Sequence, residues 1–217
     1  MNKETVFSHI DHTQLKAFAT WDDMKTLCDE AVAYGMASVC IPPAFVGRVV
    51  KAYGSRLTVC TVVGFPLGYQ TTETKVFEAE QAVRLGAKEV DMVINLGDAK
   101  DGQFDRITDE IRAVKAAVGS NILKVIIETC YLTDDEKIAI CRCVTEAGAD
   151  FIKTSTGFGT AGATMHDVEL FKQHIGSRVR IKAAGGIRTA GDIEAYLEAG
   201  CARIGASAAI KAYADKA

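Results

Sequence analysis

The sequence predicts a closed (β/α)8 barrel, eight parallel strands ringed by helices, with a short N-terminal extension. Three observations carry this. First, one junction recurs along the chain: a helical pattern ends at a glycine, a small residue follows in most cases, and an apolar run begins. It occurs at Gly35-Met36, Gly54-Ser55, Gly86-Ala87, Gly119-Ser120, Gly148-Ala149, Gly176-Ser177 and Gly200-Cys201. Glycine suits the left-handed position that closes a helix, so each junction reads as a switch from helix to strand. Second, strands and helices alternate without a linker or a break in composition, the pattern of parallel βαβ units. Third, the chain has 217 residues, large for an ordinary single domain and normal for one such barrel. One barrel domain over residues 1–217 is expected.

The seven junctions introduce apolar runs at 37–41, 57–63, 89–94, 122–127, 151–152, 179–183 and 202–205. An eighth strand must precede the first helix, and Ser8-His9-Ile10-Asp11-His12-Thr13 fits that place. Residues 1–7 would form a helical or irregular cover. Between the runs, Ile107, Ile111, Val114 and Val118 make one apolar helix face, and Val76, Ala79 and Val83 make another. Asp22-Asp23, Thr133-Asp134-Asp135-Glu136 and Thr189-Ala190-Gly191-Asp192 read as helix N-termini, with caps and acidic first turns. Trp21 and Phe18 are expected to pack a helix onto the barrel.

Composition narrows the function. With 48% hydrophobic and 24% charged residues, the chain is that of a soluble globular protein. A net charge of −3 offers no broad basic field for nucleic acid or an anionic membrane, so any anion site must be local. No stretch approaches the roughly 18–20 apolar residues of a membrane span, and the N-terminus lacks the apolar run of a signal peptide. The seven cysteines are odd in number and form no C-x-x-C pair, which fits free thiols in a reducing compartment. A cytoplasmic protein is expected.

In such a barrel the function sits at the C-terminal ends of the strands. Asp150-Phe151-Ile152-Lys153-Thr154-Ser155-Thr156-Gly157 delivers a lysine at the end of a short apolar run, then three hydroxyl residues and a glycine. A lysine there is costly unless something uses or pairs it. A second follows one strand–helix unit later, in Arg180-Ile181-Lys182-Ala183-Ala184-Gly185-Gly186. Two ammonium groups in one pocket disfavour each other's protonation. A neutral amine at pH 7 is a nucleophile that can form a Schiff base with a carbonyl. Lys153 is therefore the candidate nucleophile and Lys182 its electrostatic neighbour. Taken alone, Lys153 reads first as a strand-end lysine that reaches solvent or pairs with a carboxylate; the second lysine and an acidic residue turn the reading toward chemistry. Asp91, between Val90 and Met92, needs a partner inside a strand. It is either a structural ion pair with a lysine or a proton carrier working with Lys182.

Gly157, Gly185 and Gly186, and the run Gly205-Ala206-Ser207 follow the last three strands. Glycines there let backbone N–H groups approach a phosphate. Asp11, between His9 and His12, is placed near the barrel mouth. Cys40 is either a pocket thiol or a small buried hydrophobe. Lys124 and Glu128 lie four apart on the fifth strand, so both can point inward as a structural or catalytic pair. Thr154 belongs to the hydroxyl cluster. No histidine has metal-ligand spacing with another histidine or cysteine, and no metal or other cofactor is expected. Gly64-Phe65-Pro66-Leu67-Gly68 reads as a rigid turn of unassigned role.

Over nearly all its length the chain resembles the deoxyribose-phosphate aldolases. The stretches that carry this are Lys124-Val125-Ile126-Ile127-Glu128-Thr129, Gly148 to Gly157 with its lysine–threonine–serine–threonine–glycine run, and Lys182-Ala183-Ala184-Gly185-Gly186-Ile187-Arg188-Thr189. The resemblance implies a metal-free class I aldolase on a (β/α)8 barrel. Its reaction is reversible cleavage of 2-deoxy-D-ribose 5-phosphate to D-glyceraldehyde 3-phosphate and acetaldehyde. It further implies Lys153 as the Schiff-base lysine, Lys182 as the residue that favours its neutral form, and Asp91 in a proton relay with Lys182 and a water. Asp11 and Cys40 match positions near the family's active site. Gly157, Gly185, Gly186, Gly205 and Ser207 would hold the phosphate. Many members carry Ser-Ser where this chain has Ser207-Ala208, some carry a lysine where it has Phe158, and some extend beyond the position of Ala217. Phosphosugar and aldehyde substrates and a homo-oligomer, dimer or tetramer, are expected; nucleic-acid and membrane partners are not. Another Schiff-base aldolase or an isomerase on the same barrel, or a barrel that binds a phosphometabolite without turnover, remains open at this level.

Overall fold

A computed structural model gives the fold and describes residues 1–214. The last three residues of the expected 1–217 domain lie outside the described residues. Eight parallel strands close into a barrel in sequence order, and the first pairs with the last. They are β1 (Ile10–Thr13), β2 (Ser38–Ile41), β3 (Val59–Val63), β4 (Glu89–Val93), β5 (Ile122–Ile126), β6 (Phe151–Lys153), β7 (Arg180–Ala184) and β8 (Arg203–Ala206). Every predicted run holds a strand, shifted or trimmed by one or two residues. At β6 the strand runs one residue further than the apolar run, so Lys153 is a member of the ladder, paired with Lys182 on β7.

The helices are α1 (Lys3–Phe7), α2 (Trp21–Ala33), α3 (Val46–Tyr53), α4 (Thr72–Arg84), α5 (Leu96–Lys100), α6 (Phe104–Val118), α7 (Asp134–Glu146), α8 (Met165–His174), α9 (Ala190–Glu198) and α10 (Ala209–Ala214). The three predicted helix starts are capping boxes, Thr20 with Asp23, Thr133 with Glu136, and Thr189 with Asp192. Each satisfies two amide donors that a helix start would leave without partners. The short cover predicted for residues 1–7 is α1. At Gly176 the glycine serves space rather than a left-handed turn: a Cβ there would lie 2.4 Å from Thr145 Cγ2. The Arg48 guanidinium carbon lies over the Trp21 ring, 3.8 Å from the ring centroid. Phe18 does not pack as expected; it lies in the turn before α2 and is 79% exposed.

Strand side chains alternate between two faces. One set, including Ile41, Val59, Val90, Met92, Leu123, Val125, Ile152, Ile181 and Ile204, joins the apolar layer between barrel and helices. The other set points inside, and there this barrel departs from the usual filling of branched aliphatics. Its interior holds Asp11, Glu89, Asp91, Lys124, Lys153 and Lys182, all buried. Phe151 packs against Arg180 and Arg203, whose guanidinium carbons lie 4.1 and 5.7 Å from its ring centroid. A second buried pair lies in the helix layer: Lys75 on α4 bonds Glu110 on α6 at 2.7 Å and the Val93 carbonyl at 2.9 Å. This fixes the exit of β4, the strand that carries Asp91.

Candidate active site

Lys153, Lys182 and Asp91 meet inside the barrel. The two ammonium groups donate to the same oxygen, Asp91 Oδ2, each at 2.7 Å. The strand register explains this, since Lys153 and Lys182 are Cα partners on neighbouring strands and point to the same face. Lys182 also donates to Asp11 Oδ2 at 2.5 Å. Lys124 donates to Asp91 Oδ1 at 2.9 Å, Glu89 Oε2 lies 2.6 Å from its Nζ, and its Nζ contacts the Cys60 sulfur at 3.2 Å. Arg203 bonds Glu89 at 3.0 and 3.1 Å and also bonds Asp11. Ser38 Oγ donates to the same carboxylate of Asp11, at 2.7 Å.

Burial alone would raise the pKa of Asp91, but Lys124, Lys153 and Lys182 overcome it and hold the carboxyl well below its ordinary range. Asp11 is likewise lowered, against burial, by Lys124, Lys182 and Arg203. Burial pushes the Lys182 pKa down, yet Asp11 and Asp91 raise it above the usual lysine value. Lys124 is raised well above that value, against burial, by Asp11 and Asp91. Lys182 is thus a fixed cation beside Lys153. Carboxylates lowered on folding contribute stability that is present above their unfolded pKa and lost as the pH falls toward the folded one. Lysines raised on folding contribute stability that is present below their unfolded pKa and lost as the pH rises through the folded one. Thermal stability should therefore hold from about pH 5 to about pH 10 and fall steeply below about pH 4. A melting temperature that stays constant down to pH 3 would contradict this linkage.

Above this charged floor opens a cavity of about 530 Å³. Lys153 reaches its wall, together with Gly157, Gly185, Gly186, Gly205 and Ser207. All five predicted phosphate residues therefore share one cavity with the candidate nucleophile. Lys182, Asp91, Asp11, Lys124, Cys40 and Thr154 lie beneath it, each fully buried. Asp11 is thus not at the barrel mouth, because its carboxylate is drawn inward by Lys182 and Arg203. The neighbouring His12 faces the other way, with Nε2 2.7 Å from Glu30 on α2. Thr154 laces β6 to β7: its hydroxyl donates to the Ala184 carbonyl and accepts from the Ala184 N–H, both at 3.1 Å. Gly205 makes room for the nucleophile's neighbour, since a Cβ there would lie 3.3 Å from Lys182 Cε.

Cys40 and Cys60 are partners on β2 and β3, both fully buried. The Cys60 thiol beside Cys40 holds the Cys40 pKa below its ordinary value, while burial raises that of Cys60 well above it. Their sulfurs and an Asp91 oxygen lie within 4.8 Å of one another. That is metal-ligand spacing, but three ammonium groups already bind the carboxylate, which makes it a poor home for a cation.

The expected inward pairing of Lys124 with Glu128 does not form. β5 ends at Ile126, and Glu128 adopts a left-handed backbone with φ 51°. It turns to the next loop, where its carboxylate accepts the Thr156 N–H at 3.1 Å and the Thr156 hydroxyl. This fixes the loop that carries Gly157 and Phe158. Sequence reasoning also missed Gly162, whose Cβ, if it had one, would lie 2.1 Å from the Gly185 carbonyl oxygen. Lys16, Arg188 and Lys211 line the cavity as well. Lys16 and Lys211 come from opposite ends of the chain and carry no motif, so only the ring closure reveals them. The turn at 64–68 has a place too: Phe65 meets Phe158 edge-on, with centroids 5.4 Å apart.

The chain is similar to proteins named deoxyribose-phosphate aldolase. One from Clostridium botulinum (strain Alaska E43 / Type E3) is 57% identical over 210 residues, 97% of this chain and 95% of the relative. One from Streptococcus pyogenes serotype M4 is 50% identical over 217 residues, 100% of this chain and 97% of the relative. The solved structure of deoxyribose phosphate aldolase from Aeropyrum pernix, described as a unique tetramer, superposes with a TM-score of 0.90 at 29% identity, covering 99% of this chain and 92% of that one. The model of the DeoC/LacD family aldolases matches residues 5–212, nearly the whole barrel. On that match and those identities, the chain belongs to the DeoC/LacD aldolase family.

Proposed function

We propose that the protein is a class I aldolase that reversibly cleaves 2-deoxy-D-ribose 5-phosphate to D-glyceraldehyde 3-phosphate and acetaldehyde, in the breakdown of deoxyribose phosphates. The observation that carries this reading is Lys153 at the cavity wall, bonded to the same Asp91 oxygen as the permanently charged Lys182. The form of this lysine that reacts with a carbonyl is the free amine.

In its neutral form, Lys153 attacks the C1 aldehyde of the open-chain sugar. The carbinolamine loses water to give a protonated imine. That imine draws in the electron pair of the C2–C3 bond as the C3 hydroxyl gives up its proton, and D-glyceraldehyde 3-phosphate leaves. The enamine is then protonated at C2, and water hydrolyses the imine to acetaldehyde and the free lysine. These steps need protons moved at N and O. Asp91 and Lys182 both stay ionised at rest, so with a water they would relay protons in concert rather than store them. Phosphate bound by the backbone of Gly157, Gly185, Gly186, Gly205 and Ser207 orients the sugar. Lys16, Arg188 and Lys211 would supply charge at the same wall, in a chain with Phe158 where some relatives have lysine.

The test is a coupled assay for acetaldehyde release from 2-deoxy-D-ribose 5-phosphate, combined with borohydride trapping and peptide mapping. No acetaldehyde from the phosphosugar would refute the assignment. For the anchor, Arg188→Met is expected to lower kcat/KM for the phosphosugar by about 10- to 100-fold, the range for losing one charge-assisted hydrogen bond. Unphosphorylated 2-deoxyribose should be turned over as before; an equal loss on both sugars would remove Arg188 from the phosphate site.

We further place the protein in the cytoplasm as a homo-oligomer. Its cysteines are all unbridged, and among the described residues no helix is long and apolar enough to cross a membrane. Exposed Leu67, Tyr69 and Phe77 offer apolar area of the kind that subunit contacts cover.

A further inference from the structure

We propose that Glu89 and Arg203, at the N-terminal ends of β4 and β8, are positioning residues that set the charge inside the barrel, so that the interior is balanced only when Lys153 is the neutral amine. The inference rests on the reading of Lys153 as the nucleophile and deepens it.

Every other strand contributes to what faces Lys153 on β6. β1 gives Asp11, β4 gives Glu89 and Asp91, β5 gives Lys124, β7 gives Lys182 and β8 gives Arg203, while β2 and β3 give the buried thiols Cys40 and Cys60. Glu128, past the end of β5, is engaged by Thr156. Lys16, Arg188 and Lys211 stand in the open cavity, where water screens them.

The buried set holds three carboxylates, on Asp11, Glu89 and Asp91. It holds three cations besides Lys153, on Lys124, Lys182 and Arg203. These six are joined by contacts of 2.5 to 3.1 Å in one connected network, in which Arg203 also bonds Asp11. With Lys153 neutral, the set carries no net charge. Protonating Lys153, itself only 3% exposed at the cavity floor, leaves one uncompensated positive charge on a network that is otherwise shut away from solvent, and an unbalanced buried charge is costly.

A neighbouring cation is therefore only part of the explanation for the free amine. Asp91 touches Lys153 directly and by itself would favour the ammonium form. Its charge is already shared with Lys182 and Lys124. Those two have further claims on Asp11 and Glu89, and Arg203 takes up the rest of both. Arg203 is 11% exposed in its side chain and is not among the residues that line the cavity, so it reaches Lys153 through the network rather than by touching substrate.

The prediction has opposite signs for the two residues. Losing the Arg203 cation leaves a negative balance that a proton on Lys153 repairs. Losing the Glu89 charge leaves a positive balance that drives the proton off. The readout is adduct formation from acetaldehyde, trapped with cyanoborohydride across a pH series and mapped to Lys153 by peptide mass. Arg203→Met is expected to move the acidic midpoint up by about one pH unit, and Glu89→Gln to move it down by about as much. This is the size of effect for one charge roughly two side chains away at an effective dielectric of ~20. Arg203→Lys should restore the parent midpoint, and the Glu89→Gln/Arg203→Met double variant should return close to it.

Shifts of both single variants in the same direction, or midpoints within a few tenths of a unit of the parent, would overturn the proposal, since a merely structural role moves yield and melting temperature but not midpoints of opposite sign. Should Arg203→Met fail to fold by circular dichroism, Glu89→Gln decides alone, because it keeps the side-chain shape: a downward shift supports the proposal and no shift ends it. If the parent protein itself gives no adduct at Lys153, the aldolase reading has failed and this inference falls with it.

Discussion

Lys153→Ala is expected to abolish both turnover and borohydride trapping with acetaldehyde, with activity at or below about one part in 10⁴ of the parent. The covalent route has no other entrance among the described residues of the cavity floor. Lys182 and Lys124 are each held by carboxylates that raise their pKa above the ordinary range. Both are fully buried, so neither offers a free amine to an aldehyde. The substitution removes an amine from a cluster whose other charges balance without it, so the fold should survive. A variant that still yields a reduced adduct on an active-site lysine would show that another residue is the nucleophile.

Lys182→Met should be damaging in two separable ways. The stem is preserved, but Asp11 and Asp91 each lose an ion-pair partner at 2.5 and 2.7 Å. Taking one cation out of a buried ion-pair network costs on the order of 3–5 kcal/mol of stability, a large part of what a domain has to spare. The rate should fall by about 10²- to 10⁴-fold, the range for losing a group that manages proton transfer. The sign of its pH dependence is the sharper check. Without that cation, Lys153 keeps its proton to higher pH, so the lost activity should partly return as the pH is raised. An equal loss at every pH from 7 to 10, in protein shown to be folded, would mean that Lys182 serves only to hold the strands together.

Much of this site is written locally. The lysine of β6 ends an apolar run and opens a run of hydroxyls, and no structural strand needs that order of residues. Lys182 and Asp91 are visible for the same reason, as charges inside stretches that otherwise read as core. The helix starts are equally plain, because a capping box needs only four consecutive residues. What was not legible depends on how distant pieces meet. Glu89 and Arg203 open their strands and look like ordinary charged residues just past a loop. Only the closed ring turns both inward and onto each other. Glu128 looked like an inward strand residue because its spacing from Lys124 suits a strand of period two, but the strand ends two residues before it. Asp11 looked like a rim residue because two histidines flank it, whereas alternation sends His12 out to α2 and Asp11 into the interior.

The closure of β1 onto β8 has a consequence for assembly. The first five strands contribute Asp11, Glu89, Asp91 and a single lysine to the interior, while the last three contribute Lys153, Lys182 and Arg203. A half-built barrel of either kind would thus expose a lopsided electrostatic face, acidic in the early part of the chain and basic in the late part. Asp11 and Arg203 are separated by 192 positions along the polypeptide, so their attraction can act only after nearly all of it has been synthesised. The same side chains that ready the amine would then draw the two arcs of the ring together, making catalytic competence and completion of the fold a single event.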